Sequence, residues 1–139
     1  DVLRAVRTAT EGRARMKVIL ETGELPDVAR VTAAAELAIE HGTDFVKSST
    51  GKSPVSATPE AASAMRDVIT RSGRPVGIKP SGGMSSADDA DVYLRLAADA
   101  MGDDGVSPAT FRFGASSLLG ALLETAGIDD AAPPPATSY

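Results

Sequence analysis

The chain of 139 residues contains no cysteine and no tryptophan, one histidine, and only three Phe and two Tyr. Each shortage removes a class of chemistry. Without cysteine there is no disulfide framework, no thiolate nucleophile and no sulfur-ligated metal, and one histidine builds neither a metal cluster nor a Ser-His-Asp triad, so neither metal nor cofactor is expected. The few aromatics offer no stacking platform for bases, and a formal charge of −5, from 14 basic and 19 acidic residues, leaves no net basic footprint. Nucleic acid is therefore not an expected partner. No apolar run approaches the roughly 20 residues of a membrane span, and the first residues, Asp1 to Arg7, read as an amphipathic helix rather than a signal peptide. A cytoplasmic location is expected, with no membrane partner. The chain opens in that helix without an initiating methionine, so further sequence is expected upstream.

What is present is lysine, carboxylate and hydroxyl chemistry in a chain 42% hydrophobic, enough for one core. Lys47 and Lys79 each end a short apolar run that a turn follows. An ordinary lysine, with a pKa of about 10.4, is protonated at neutral pH and cannot attack a carbonyl; a second ammonium beside it eases loss of the proton. One of the two is a candidate Schiff-base nucleophile and the other its electrostatic activator. The residues alone do not say which.

Four apolar runs, Met16 to Glu21, Phe45 to Lys47, Val76 to Lys79 and Phe111 to Gly114, are expected as strands. They recur at about thirty residues, the size of a βα unit. Between them, Asp27 to Glu40 has helical spacing and ends at Gly42; Thr58 and Pro59 open a helix that runs to Gly73. Ser86 and Asp89 form a capping-box pattern ahead of Ala90, Tyr93, Leu94 and Ala97, and a last helix is expected from Ser116-Ser117 to Gly127. The polar residues gather at the C-terminal ends of several strands, which favours a (β/α)8 TIM barrel over an open sheet. Such a barrel takes about 250 residues. The expected fold is α/β: residues 1–128 as the C-terminal half of a barrel (strands 5–8 with their helices), followed by a flexible Pro-rich tail, 129–139.

Four segments in order, KVILETGEL from Lys17, DFVKSSTGK from Asp44, GIKPSGG from Gly77 and FRFGASSLL from Phe111, resemble those of deoxyribose-phosphate aldolases. The resemblance implies a lyase that reversibly cleaves 2-deoxy-D-ribose 5-phosphate to glyceraldehyde 3-phosphate and acetaldehyde. It implies Lys47 as the Schiff-base residue, Lys79 as the neighbour that eases its deprotonation, and Lys17 as a third active-site lysine. Tyr139 matches a family tyrosine on a mobile tail that assists proton transfer. The aspartate that relays protons in the family lies on a strand before Asp1.

Gly82 and Gly83, and the Gly114-Ala115-Ser116-Ser117 run at a helix start, suit an anion through backbone N–H groups and the helix dipole. Gly51 and Lys52 are further phosphate candidates, and Thr50 offers a hydroxyl to the sugar. Ser85 stands where the family often has a basic residue. His41 is expected to be a solvated residue at a helix C-terminus, and Arg112, Glu21 and Glu24 are expected as structural ion-pair partners. The expected partners are a phosphorylated sugar, aldehydes, and either a completing N-terminal half-barrel or further copies of the chain. Two other readings are an inactive half-barrel that keeps a phosphate site or serves in assembly, and another lysine-dependent barrel aldolase. The lysine pair and the Gly-Ala-Ser-Ser loop weigh against the last.

Overall fold

The computed structural model describes residues 2–128; the Pro-rich tail and Tyr139 lie outside the described residues. Three parallel strands, β1 (Lys17–Ile19), β2 (Phe45–Lys47) and β3 (Gly77–Lys79), lie in sequence order. The helices are α1 (Val2–Thr10), α2 (Val28–Glu40), α3 (Pro59–Ser72), α4 (Ala87–Met101) and α5 (Leu118–Thr125). Sequence expectation and structure agree on a βα repeat with a parallel sheet. Among the described residues no helix is long and apolar enough to cross a membrane.

The helix starts form where local chemistry satisfies their free N–H groups. Asp27 accepts from Arg30 N at 2.8 Å, and Thr58 accepts from Ala61 N at 3.1 Å with Pro59 in the first helical position. Both halves of the Ser86–Asp89 capping box are made. Beyond α2, His41 is half-buried, with Nδ1 2.9 Å from Leu37 O, and Gly42 takes φ +79°. Arg7 of α1 ties this corner together: its guanidinium lies 2.9 Å from Asp44 Oδ2, which also accepts from Met16 N.

Side chains alternate across a strand, so each strand divides its residues between two faces. Val18, Val46 and Ile78 turn toward the helices and join a core with Val31, Ala35, Met65, Val68 and Phe111. Burying side chains the size of Met65, Ile78 and Val46 contributes about 1.5–3 kcal/mol each, the main source of cohesion here. The other face carries Lys17 and Ile19, Phe45 and Lys47, Gly77 and Lys79. Ile19 on this face is 41% exposed.

The expected fourth strand, Phe111 to Gly114, does not form as a continuous element. It meets the sheet through two parallel bridges, Ile78 with Phe111 and Ser81 with Gly114. Around the first, Ile78 N donates to Thr110 O and Arg112 N to Ile78 O; around the second, Gly114 N donates to Pro80 O and Gly82 N to Gly114 O. Between them the ladder needs an N–H from residue 80, and proline has none. Pro80 thus removes the rung that would have made the expected strand continuous.

Candidate active site

Three lysines rise from the same face of neighbouring strands. Lys47 and Lys79 are direct partners in the β2–β3 register, with backbones about 4.8 Å apart. Lys17 pairs with Phe45, one layer nearer the strand N-termini, while Ile19 pairs with Lys47. Lys17 is exposed, whereas Lys47 and Lys79 are half-buried. Burial holds the Lys79 ammonium below the usual lysine range, and the charges of Lys17, Lys47 and Arg112 push it further the same way. The charges of the other two lysines thus act on Lys79.

Beneath this layer Phe45 is buried, and its ring occupies the space that a side chain on Gly77 would need. Arg112 lies over that ring with its guanidinium carbon 4.6 Å from the centroid. Arg112 was expected in an ion pair. Its charge instead rests on an aromatic face and its Nε donates to Pro108 O, and among the described residues it forms no ion pair.

Above the lysines, a cleft of about 640 Å³ is lined by Lys47, Thr50, Gly51, Lys52, Gly82, Gly83, Gly114, Ser116 and Ser117. All eight residues read from the sequence as phosphate or sugar contacts come together there, with Lys47. Lys17 and Lys79 are not in the lining, and Ser81, Met84, Ser85 and Ala115 are additional walls. No carboxylate lines it among the described residues.

The backbone donors of this cleft divide into two groups. Gly51 N is taken by Ser49 Oγ, Lys52 N by Thr50 Oγ1, Ser81 N by Ser48 Oγ and Ser85 N by Asp89 Oδ2. Gly82 N and Gly114 N are spent in the interrupted ladder. The N–H groups of Gly83, Met84, Ala115, Ser116 and Ser117 have no partner among the described residues. Gly82 and Gly83, at φ +80° and +74°, provide a turn that few other residues would adopt, so Gly82 matters for shape and Gly83 for shape and donor alike. Ser117 precedes α5 without using its hydroxyl as a cap, and it lines the cleft beside Ala115 and Ser116, whose amides have no partner among the described residues.

Glu21 was expected in an ion pair and makes none among the described residues. Its carboxylate accepts from Ser49 Oγ at 2.6 Å, Thr50 Oγ1 at 2.5 Å, Ser53 Oγ at 3.3 Å and Thr50 N at 3.1 Å. The Ser49 and Thr50 hydroxyls, ahead of the Thr50 amide and Ser53, hold the carboxyl down at about 2. Glu24, expected likewise, makes no ion pair among the described residues and lies in a short 3-10 turn, Thr22–Glu24. The signal for Glu21 was in the sequence as an excess of hydroxyls at Ser48, Ser49, Thr50 and Ser53, which call for an acceptor. Nothing local says that the acceptor comes from the preceding strand.

Comparison with known proteins places this geometry. The sequence model of the DeoC/LacD family aldolases matches residues 1–123. A structure from Coccidioides immitis, provisionally assigned as a deoxyribose-phosphate aldolase, is 32% identical with a TM-score of 0.73, over 89% of this chain and 44% of that one. The apo form of a protein so assigned from Toxoplasma gondii ME49 is 25% identical with a TM-score of 0.81, over 94% of this chain and 52% of that one. A tetrameric deoxyribose phosphate aldolase from Aeropyrum pernix is 26% identical with a TM-score of 0.67, over 90% of this chain and 47% of that one. This chain spans about half the length of the solved structures it matches. With its lysine row, its amide-lined cleft and a family match over nearly its whole length, the chain belongs to the DeoC/LacD family of aldolases.

Proposed function

We propose that this chain carries the lysine pair and the phosphate cleft of a class I aldolase that interconverts 2-deoxy-D-ribose 5-phosphate with glyceraldehyde 3-phosphate and acetaldehyde. The observation that carries the reading is that Lys47 opens into the same cleft as the unpaired amides of Gly83, Met84, Ala115, Ser116 and Ser117. A carbonyl at the lysine and a phosphoryl group at the amides are the two ends of one sugar phosphate. The Lys47 amine adds to the carbonyl and water leaves, giving a protonated imine. The hydroxyl across the scissile bond then gives its proton to a carrier and becomes the carbonyl of the phosphorylated aldehyde, while the C–C bond breaks with its electrons drawn into the imine, leaving an enamine. The enamine takes up a proton, and hydrolysis frees acetaldehyde and Lys47.

In this reading the proton carrier is not Glu21, whose lone pairs are filled by hydroxyls and an amide. The carrier is an aspartate supplied from outside these residues. The chain contributes the C-terminal half of a (β/α)8 barrel, and an N-terminal half or another copy closes the wall. The 41% exposure of Ile19 on the lysine face supports this. Tyr139 is assigned a part in proton transfer by family resemblance alone. Soluble, cytoplasmic action on small phosphorylated metabolites belongs to the same proposal.

The test is incubation with acetaldehyde and borohydride, followed by peptide mapping. An ethyl adduct on Lys47 is expected. The lowered pKa of Lys79 favours a second reading, in which Lys79 is the nucleophile, and an adduct on Lys79 alone would establish it. Phosphate binding without any adduct, even after an N-terminal half-barrel is added, would leave an anion-binding protein and sink the aldolase reading.

Lys79→Leu is expected to move adduct formation to higher pH. Lys79 stands opposite Lys47 in the β2–β3 register, and a positive charge there favours the free amine at its neighbour, so attack without it needs higher pH. An unchanged pH profile would show that Lys79 is not coupled to the attack. Ser117→Asp is expected to reduce use of the phosphorylated sugar by about tenfold or more while sparing unphosphorylated 2-deoxyribose, because a carboxylate beside the free amides of α5 repels phosphate. Equal losses for both sugars would show that the loop supports the fold alone.

A further inference from the structure

Glu21 sits at the end of β1 with φ 51° and ψ 60°, the one described residue other than glycine with positive φ. That left-handed conformation costs on the order of 1 kcal/mol and persists where surrounding contacts over-determine it. Here the contacts are those of the carboxylate with the loop after β2. Ser49 Oγ donates to Glu21 Oε1 and accepts from Gly51 N at 2.9 Å. Thr50 Oγ1 donates to Glu21 Oε2 and accepts from Lys52 N at 3.2 Å.

A hydroxyl has a single hydrogen. Because both hydrogens are drawn to the carboxylate, the lone pairs of Ser49 and Thr50 must face the amides of Gly51 and Lys52. An ionised acceptor sets this polarity, and the carboxyl stays ionised through the neutral range. It follows that the Thr50 hydroxyl can offer a ligand only a lone pair, and that the Gly51 and Lys52 amides are unavailable to an anion. The loop's remaining attractive group for phosphate is the Lys52 ammonium.

We propose that Glu21 is a positioning residue for phosphate: by fixing the direction of the Ser49 and Thr50 hydroxyls it holds Gly51 and Lys52 as one wall of the cleft, so that Lys52 faces the phosphoryl group. The inference rests on the phosphate role given to the cleft above. A neutral amide in its place would turn a donor toward one of the hydroxyls, reverse its hydrogen, and set that hydrogen against the Gly51 or Lys52 N–H.

The test is calorimetric titration of inorganic phosphate into the wild-type chain, Glu21→Gln and Ser49→Ala, with acetaldehyde–borohydride trapping measured on each. Glu21→Gln is expected to raise the Kd for phosphate about tenfold and to lower the trapping rate far less. Ser49→Ala, which removes one of the two hydroxyl arms, is expected to raise it by a smaller factor. A Kd in Glu21→Gln within twofold of wild type overturns the proposal. So does a parallel loss of phosphate binding, trapping and circular dichroism in both variants, which would make Glu21 a fold-holding residue only. Failure to trap acetaldehyde even when the wild-type chain is completed with an N-terminal half-barrel counts against the aldolase reading but leaves the phosphate comparison intact. Failure of the wild-type chain to bind phosphate overturns the inference about Glu21.

Discussion

Lys47→Leu is expected to abolish the borohydride-trapped adduct and to lower aldol cleavage by about a thousandfold or more in the barrel completed with an N-terminal half. Leucine keeps most of the bulk of the side chain at a half-buried position, so the strand should persist. What disappears is the lysine that ends β2 and lines the cleft. Without a covalent electron sink, C–C cleavage has no comparably easy route, and the loss is of transition-state stabilisation rather than of substrate binding. Phosphate affinity should fall only modestly, since the donors at Gly83, Met84 and residues 115–117 remain. An adduct and cleavage retained in Lys47→Leu would move the nucleophile to Lys79.

The second large effect is expected at Gly114. A Cβ built there overlaps Ser81 Oγ, comes within 2.7 Å of Ser81 Cβ and 3.0 Å of Lys79 Cε. Alanine can adopt the backbone conformation, so the penalty is steric. Ser81 cannot yield easily: it is buried, its N–H is held by Ser48 Oγ and its hydroxyl donates to Gly114 O at 3.1 Å. Gly114→Ala is expected to cost about 1–3 kcal/mol, in the range of overpacked cores. It should lower the midpoint of thermal unfolding by several degrees, weaken phosphate binding and disturb the pH dependence of adduct formation through Lys79. An unchanged melting curve together with unchanged phosphate affinity would show that the bridge region relaxes freely.

Much of the fold was legible because it is local. Asp27, Thr58 and Ser86 each cap an N–H three residues on, and such spacing can be read directly from the chain. The lysines at the ends of β2 and β3 were legible for a similar reason, since a short apolar run followed by a polar turn residue marks a strand end. Six of the eight cleft residues are glycine or serine at strand-to-helix turns, where backbone N–H groups can approach an anion, and Thr50 and Lys52 were anticipated beside them from the family resemblance. What escaped depends on distance along the chain. Glu21 meets its partners 28 to 32 residues away, and Arg112 covers Phe45 from two βα units downstream. The charge of each residue was plain, but the counterpart was not, and an ion pair was the wrong guess for both. The fourth strand failed for a subtler reason: the apolar pattern of Phe111 to Gly114 was sound, and the missing donor belonged to Pro80 on the neighbouring segment.

That missing rung divides the contact between β3 and the segment 111–114 into two islands, one at Ile78 and Phe111 and one at Ser81 and Gly114. A continuous ladder opens as a unit, whereas islands can fray separately. The upper island carries the turns that hold the free amides, and the lower one adjoins the Phe45–Arg112 floor under the lysines. Amide exchange at Gly82 and Gly114 can therefore proceed without exposing Ile78 or Arg112. In the proposed reaction, a product's phosphoryl end is let go while the imine-forming end of the site keeps its shape.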